Sequence, residues 1–334
     1  MAVTASKALD RVLVLEMVRV TEAAALAAST LVGRGDEKAA DHVAVEAMRA
    51  AFNELDFDGT VVIGEGERDE APMLYIGEKV GKASPGSPKI DIALDPLEGT
   101  TLTAKGFPGA LSVIALSERG SMFDPGPCVY MEKMAGHESI GDLLDLDRPL
   151  ADTLGLIAER KQVDIRDVVV IMLDRPRHGD AVKEIRDAGA RLRFITDGDV
   201  SGALLAVSDN SPVDLLWGIG GTPEGVISAA AIKCMGGALV GRMWPRNDEE
   251  RTAALAAGYD LEGQLTQDDL VKGNDCFFSA TGVTDGDVLQ GVRYRGRKAT
   301  TESLVMRSRS GTVRRVRATH DREKLRQYAA ERFG

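Results

Sequence analysis

Three cysteines are all the chain has. Cys128, Cys234 and Cys276 are scattered without paired spacing, which excludes a disulfide framework and a thiolate zinc site. Long apolar runs are missing too. Strings such as Val168–Leu173 have the length of a strand and fall far short of the roughly 20 residues of a membrane-crossing helix. Met1–Lys7 lacks the basic start and following apolar stretch of a secretory signal. Basic excess is absent: 52 acidic residues against 41 basic ones give a net charge of −11, which disfavours non-specific attraction to nucleic acid or anionic membrane. No internal repeat and no low-complexity tract occurs. These absences lead us to expect a cytoplasmic protein with no nucleic-acid and no membrane partner. An anionic small ligand would need local help from metal ions or gathered arginines.

What is present is a 334-residue chain with 44% hydrophobic content, enough for a large core. Helical and strand signals alternate, the pattern of an α/β protein. Leu9–Leu31 reads as a long amphipathic helix. Asp36 is placed to cap a second helix to about Leu55, with Val43, Ala44, Ala47, Met48, Ala51 and Phe52 at core spacing and Asp41 on the face of Val45 and Met48. Thr60–Ile63 reads as a short buried strand running into Gly64-Glu65-Gly66-Glu67, where no strand continues. Lys82–Lys89 is a loop. Further strands are expected at Ile90–Asp95, Ala110–Ser117, Val168–Leu173, Leu192–Thr196 and Val213–Trp217, with helices around Asp180–Ala188 and Pro223–Met235. Glu302–Arg309 and Thr312–Arg317, joined by Ser310-Gly311, form a hairpin. Glycine and aspartate dilute the pattern around Gly136–Arg148. We therefore expect two lobes, residues 1–140 and 141–334, sharing one extended core.

The chemistry concentrates in carboxylates. In Ile90–Asp95 alternation puts Ile90, Ile92 and Leu94 on one face and Asp91, Ala93 and Asp95 on the other, and paired aspartates on a strand face are not core residues. Asp95-Pro96-Leu97-Glu98-Gly99-Thr100-Thr101 follows at the strand end, where ligands sit in α/β sheets. Taken alone this stretch is an ordinary turn with solvated acids. That reading weakens because Glu65 and Glu67 also sit at a strand end and Asp41 lies on an inward helix face. Hard oxygen donors in such a cluster suit Mg²⁺ or Mn²⁺.

Gly33-Arg34-Gly35-Asp36, the run Val61–Tyr75 and the Asp95–Thr100 turn resemble class II fructose-1,6-bisphosphatase over nearly the whole chain. Val129–Lys133, Arg175-Pro176-Arg177-His178, Thr196–Val200 and Gly218–Gly225 match in the same order. The Asp-Pro-Leu-Glu-Gly-Thr turn is also similar to the signature of the wider inositol-monophosphatase-like phosphatases. The resemblance implies their layered α-β-α-β-α sandwich, and assembly as a homodimer or homotetramer. It implies metal binding at Asp41, Glu65, Asp95, Glu98 and Glu224, and substrate contact at Glu98, Gly99, Thr100, Tyr130, Arg175, Arg177, Asp197, Asp199 and Gly221. Glu224 by itself reads as a helix-start acid favoured by the dipole, after Pro223. Arg175 and Arg177 offer bidentate grips on a phosphate, Asp197 and Asp199 acceptors for sugar hydroxyls, and Gly218–Gly221 a backbone that approaches an anion closely. As bland alternatives, the arginines are a solvated pair and Asp197-Gly198-Asp199 a simple turn.

The implied reaction is hydrolysis of a sugar bisphosphate by a metal-activated water. Thr100 would orient that water with either Glu65 or Asp91 as carboxylate partner. Sedoheptulose 1,7-bisphosphate is the alternative substrate to fructose 1,6-bisphosphate. Many relatives carry Lys after the aspartate of Gly-Arg-Gly-Asp, where this chain has Glu37 and then Lys38, so no catalytic lysine is carried over. A nucleotide-binding oxidoreductase fails because G-x-G-x-x-G read from Gly218 puts Pro223 at the last glycine. A non-catalytic phosphosugar-binding regulator would keep the sites and release no phosphate.

Overall fold

The structure, a computed structural model, describes residues 11–66 and 73–333. The fold is mixed α/β, with two mixed sheets. The chain divides into two compact units: one takes the residues up to Met122 and those from Gly273 onward, the other Phe123–Lys272. This corrects the expected boundary at residue 140. Strand Cys276–Gly282 pairs with Leu111–Glu118 on one side and Lys298–Arg307 on the other, so the C-terminal part of the chain returns to the first sheet. Tyr130–Gly136 already belongs to the second sheet, and the glycine-diluted stretch after it is a 3-10 turn, Glu138–Leu143, within that unit.

In the first unit the strands run in the order Arg293–Arg295, Lys298–Arg307, Cys276–Gly282, Leu111–Glu118, Lys89–Glu98, Asp58–Ile63, Lys79–Val80, with Thr312–Asp321 paired to Lys298–Arg307. Of these pairings only Asp58–Ile63 with Lys89–Glu98 is parallel. Helices Arg11–Ala28 and Glu37–Phe52 bury Met17, Ala24, Ala44, Met48 and Phe52 with Ile90, Ile92, Leu94, Ile114 and Phe277. The expected alternation in the Ile90 strand therefore holds, and each of these large side chains contributes roughly 1.5–3 kcal/mol by leaving water. Asp36 caps the second helix by accepting the Ala39 N–H at 2.9 Å. That helix stops at Phe52, not near Leu55, and Val43, Ala47 and Ala51 are half-buried. Residues 9 and 10 of the expected first helix lie outside the described residues.

The second unit has its own sheet, ordered Leu265–Thr266, Ala238–Met243, Tyr130–Gly136, Leu215–Gly221, Val169–Leu173, Arg191–Ile195. Helices Leu150–Lys161 and Gly179–Ala188 cover the face carrying Val170, Met172 and Leu215. Helix Asp199–Val207 lies on the opposite face, where Gly202 lets Leu216 and Ile171 approach. The result is a three-layer arrangement with three parallel strands, Val169–Leu173, Arg191–Ile195 and Leu215–Gly221, ending on one edge.

Candidate active site

Because Asp58–Ile63 and Lys89–Glu98 run parallel and adjacent, both strands end at the same edge of the first sheet. Gly64-Glu65-Gly66 follows one and Asp95–Thr100 the other. The strand does not stop at Asp95 as the sequence suggests: pairing resumes at Glu98 opposite Leu111, with a register shift between Asp95 and Glu98. Pro96 has no N–H to give a ladder, so the backbone bulges there, and the Leu97 N–H donates to Asp95 Oδ1 at 2.9 Å. Gly99 then caps helix Thr100–Lys105, so half-buried Thr100 stands in its first turn. The Gly33-Arg34-Gly35 motif fastens this helix: the N–H groups of Gly33 and Gly35 donate to the carbonyls of Thr103 and Ala104, both at 2.9 Å.

Glu65 is held by its N–H to the Leu74 carbonyl at 3.0 Å. Burial, and after it the nearby Asp41 carboxylate, push its carboxyl up to about 7. Burial also raises Asp41, with His42 opposing. Two carboxylates drawn together and partly buried are short of a cation. Glu67 and the rest of 67–72 lie outside the described residues. Among the described residues no three His, Cys, Asp or Glu side chains stand close enough together to hold an ion as they are. The donor chemistry nevertheless fits a hard divalent cation, being oxygen-only and short of positive charge.

Asp91 behaves differently. Its Oδ2 accepts N–H groups from Gly120, Ser121 and Met122 at 2.6, 3.0 and 3.3 Å, and Oδ1 lies 3.3 Å from Arg119 Nε. Both oxygens serve the turn after strand Leu111–Glu118.

In the second unit the three parallel strand ends gather the remaining predicted residues. Arg175 and Arg177 follow Val169–Leu173, Asp197 and Asp199 follow Arg191–Ile195, and Gly221 and Glu224 close Leu215–Gly221 and open helix Thr222–Met235. Tyr130 stands opposite Gly221 in the antiparallel neighbour. Arg177 donates from Nε and Nη2 to the Ile219 carbonyl at 3.0 and 2.6 Å, and its guanidinium lies 4.7 Å from the Tyr130 ring centroid. Arg246 approaches the same ring at 5.6 Å, and Trp244 packs beside it. Arg175 donates to the carbonyls of Asp174 and Thr196. These arginines are fixed by backbone acceptors, unlike a solvated pair. His178, buried beneath them, accepts the Ile219 N–H on Nε2 at 3.0 Å and faces the Leu173 carbonyl through Nδ1 at 2.8 Å. Burial holds it below the usual imidazole range.

Gly218–Gly221 continues the strand that the sequence reading ended at Trp217, and pairs with Tyr130–Lys133. Its glycines make room for side chains: a Cβ on Gly220 would lie 2.1 Å from Asp199 Oδ2, and one on Gly221 1.7 Å from Glu224 Oε2. That Oε2 is buried and makes no hydrogen bond. Burial and then Asp199 raise the Glu224 carboxyl, with Lys133 opposing. An orphaned buried carboxylate oxygen also fits the role of a ligand to a divalent cation. Sequence reasoning passed over Lys133, which is 1% exposed and pairs with Asp199 at 2.7 Å. The available signal was its place in phase with Met131 and Ala135 on a buried strand face.

The sequence model of the family described as bacterial fructose-1,6-bisphosphatase, glpX-encoded, matches residues 11–320. A protein of Haemophilus influenzae named fructose-1,6-bisphosphatase class 2 is 42% identical over 325 residues, covering 93% of this chain and 97% of its own. One from a Synechococcus strain, named D-fructose 1,6-bisphosphatase class 2/sedoheptulose 1,7-bisphosphatase, is 43% identical over 335 residues, with 93% and 96% covered.

Proposed function

The chain belongs to the family of bacterial, glpX-encoded fructose-1,6-bisphosphatases, and from that premise we propose that it hydrolyses the 1-phosphate of fructose 1,6-bisphosphate to give fructose 6-phosphate and phosphate. The observation that carries the site assignment is the gathering of the family's residue types at the ends of parallel strands in each sheet. Asp41, Glu65, Asp95 and Glu98 in the first unit and Glu224 in the second would hold divalent cations, Mg²⁺ or Mn²⁺. When bound, such cations neutralise phosphate charge and supply a water of lowered pKa.

The residues of the chain account for the rest. Thr100 orients the attacking water and Glu65 takes its proton. We assign that role to Glu65 over Asp91 because Asp91 Oδ2 is already committed to three backbone N–H groups. Glu98 and Gly99 share the strand-end turn with Thr100 and contact the substrate there. Arg175 and Arg177 bind the phosphate that stays, Tyr130 backs Arg177 through its ring face, and Asp197 and Asp199 accept from sugar hydroxyls beside the Gly221 backbone. Three buried free cysteines suit a reducing cytoplasm, and no helix among the described residues is long and apolar enough to cross a membrane.

The double name of the Synechococcus relative supports a second reading, in which sedoheptulose 1,7-bisphosphate is also a substrate. Product analysis with both bisphosphates decides between them. Formation of fructose 6-phosphate with a higher kcat/KM for the fructose ester supports the first. A higher value for the sedoheptulose ester shifts the assignment. A folded protein that binds both and hydrolyses neither is a regulator.

A further inference from the structure

We propose that Lys133 is a positioning residue for sugar recognition, acting through Asp199: it clamps one carboxylate oxygen so that the other is presented to a substrate hydroxyl. The inference rests on the reading that Asp199 contacts substrate. Lys133 sits in strand Tyr130–Gly136 with its side chain 1% exposed. Its ammonium lies 2.7 Å from Asp199 Oδ2 and donates to the Gly221 carbonyl at 3.0 Å. The other oxygen, Asp199 Oδ1, is buried and makes no hydrogen bond within the chain.

A buried carboxylate with one oxygen saturated and the other orphaned has an acceptor waiting for a donor. A sugar hydroxyl is such a donor. The neighbouring backbone is shaped around the pair, since a Cβ on Gly220 would fall 2.1 Å from Asp199 Oδ2 and 3.2 Å from Lys133 Nζ. Lys133 also bridges two binding elements, because Gly221 heads the helix carrying Glu224. A purely structural ion pair would need none of the asymmetry between the two carboxylate oxygens. With the ammonium gone, Asp199 is free to rotate and its acceptor is no longer pre-aimed.

The test measures fructose 6-phosphate binding by calorimetry, and KM and kcat for fructose 1,6-bisphosphate, in Lys133→Met, Asp199→Asn and the double variant. Binding is scored without turnover, so a wild-type protein that binds the sugar phosphate but releases no phosphate condemns the proposed function and leaves the Lys133 inference measurable. Lys133→Met is expected to weaken binding and raise KM roughly tenfold or more, as for loss of a charge-assisted hydrogen bond, with a smaller change in kcat. The double variant is expected to bind as weakly as Asp199→Asn and no weaker. If Lys133→Met does not fold, the double variant, which removes both charges, still decides. Wild-type binding in the double variant overturns the inference, as does wild-type binding in a folded Lys133→Met. So does a double variant at least tenfold weaker than Asp199→Asn.

Discussion

Replacing Glu65 with Gln should stabilise the metal-free protein while destroying its activity. The Glu65 carboxyl is pushed from 4.5 to about 7 by burial and by Asp41. A carboxyl whose folded pKa lies above its unfolded value keeps its proton longer when folded, so stability is greatest below about 4.5 and is lost as pH rises through about 7. Taken at 1.36 kcal/mol per pKa unit, the cost of ionised Glu65 at pH 8 is about 3 kcal/mol at most. Glutamine has nearly the same shape and no charge to bury. For a unit of this size, with roughly 2–4 °C per kcal/mol, the variant should melt roughly 6–12 °C above wild type at pH 8 in chelator, and close to it at pH 5. Adding Mg²⁺ or Mn²⁺ should raise the wild-type melting temperature more than that of the variant, because the variant lacks one of the cation's carboxylate ligands and binds it more weakly. The assay is thermal unfolding at the two pH values, with and without metal. A variant that melts at or below wild type at pH 8 in chelator, or a gap that ignores pH, would refute the reasoning.

Other substitutions separate roles that sequence alone merges. Asp91→Ala strands three N–H groups and removes one of the acceptors around Arg119, which keeps Asp58 and the Ile90 carbonyl, so urea unfolding should show a loss of about 3 kcal/mol, while kcat of the folded protein stays within about threefold; a collapse of kcat would return Asp91 to the catalytic role. Gly221→Ala forces a Cβ to 1.7 Å from Glu224 Oε2, and the displaced carboxylate should cut kcat/KM about 10²-fold. Thr100→Ala should lower kcat roughly 10²–10⁴-fold with KM little changed, and a loss below about tenfold removes it from nucleophile orientation. Arg177→Ala should raise KM for the bisphosphate by about tenfold or more, as read in steady-state kinetics.

Much of the local structure was legible because it depends on neighbours in sequence. Asp36 caps its helix, the Ile90 strand alternates, and the Gly311 hairpin forms between Lys298–Arg307 and Thr312–Asp321. What stayed hidden depends on distant partners. Cys276–Gly282 is a strand inside the first sheet and is absent from the expected elements; its interleaved Ser279 and Thr281 give no sign of burial in the sequence. In fact Thr21 meets Ser279 at 3.2 Å and Thr281 at 2.8 Å, and Thr281 meets Ser303 at 2.7 Å, a buried chain of hydroxyls. The unit boundary was misplaced for the same reason, because the strand that closes the first sheet comes from the far end of the chain. Gly218–Gly221 carries one side chain, Ile219, too few to show a strand period, so its pairing with Tyr130–Lys133 could not be read. Of the site, the carboxylates at strand ends were visible as types in places. Lys133 was not, because its meaning lies in Asp199, far along the chain.

The central claim is a metal-dependent sugar bisphosphatase, and phosphate release from fructose 1,6-bisphosphate by chelator-treated protein tests it most directly. One phosphate per substrate, released only after Mg²⁺ or Mn²⁺ is restored and with fructose 6-phosphate inert, is the predicted result. Release without added metal, release of both phosphates, or none from folded and metal-loaded protein would contradict it.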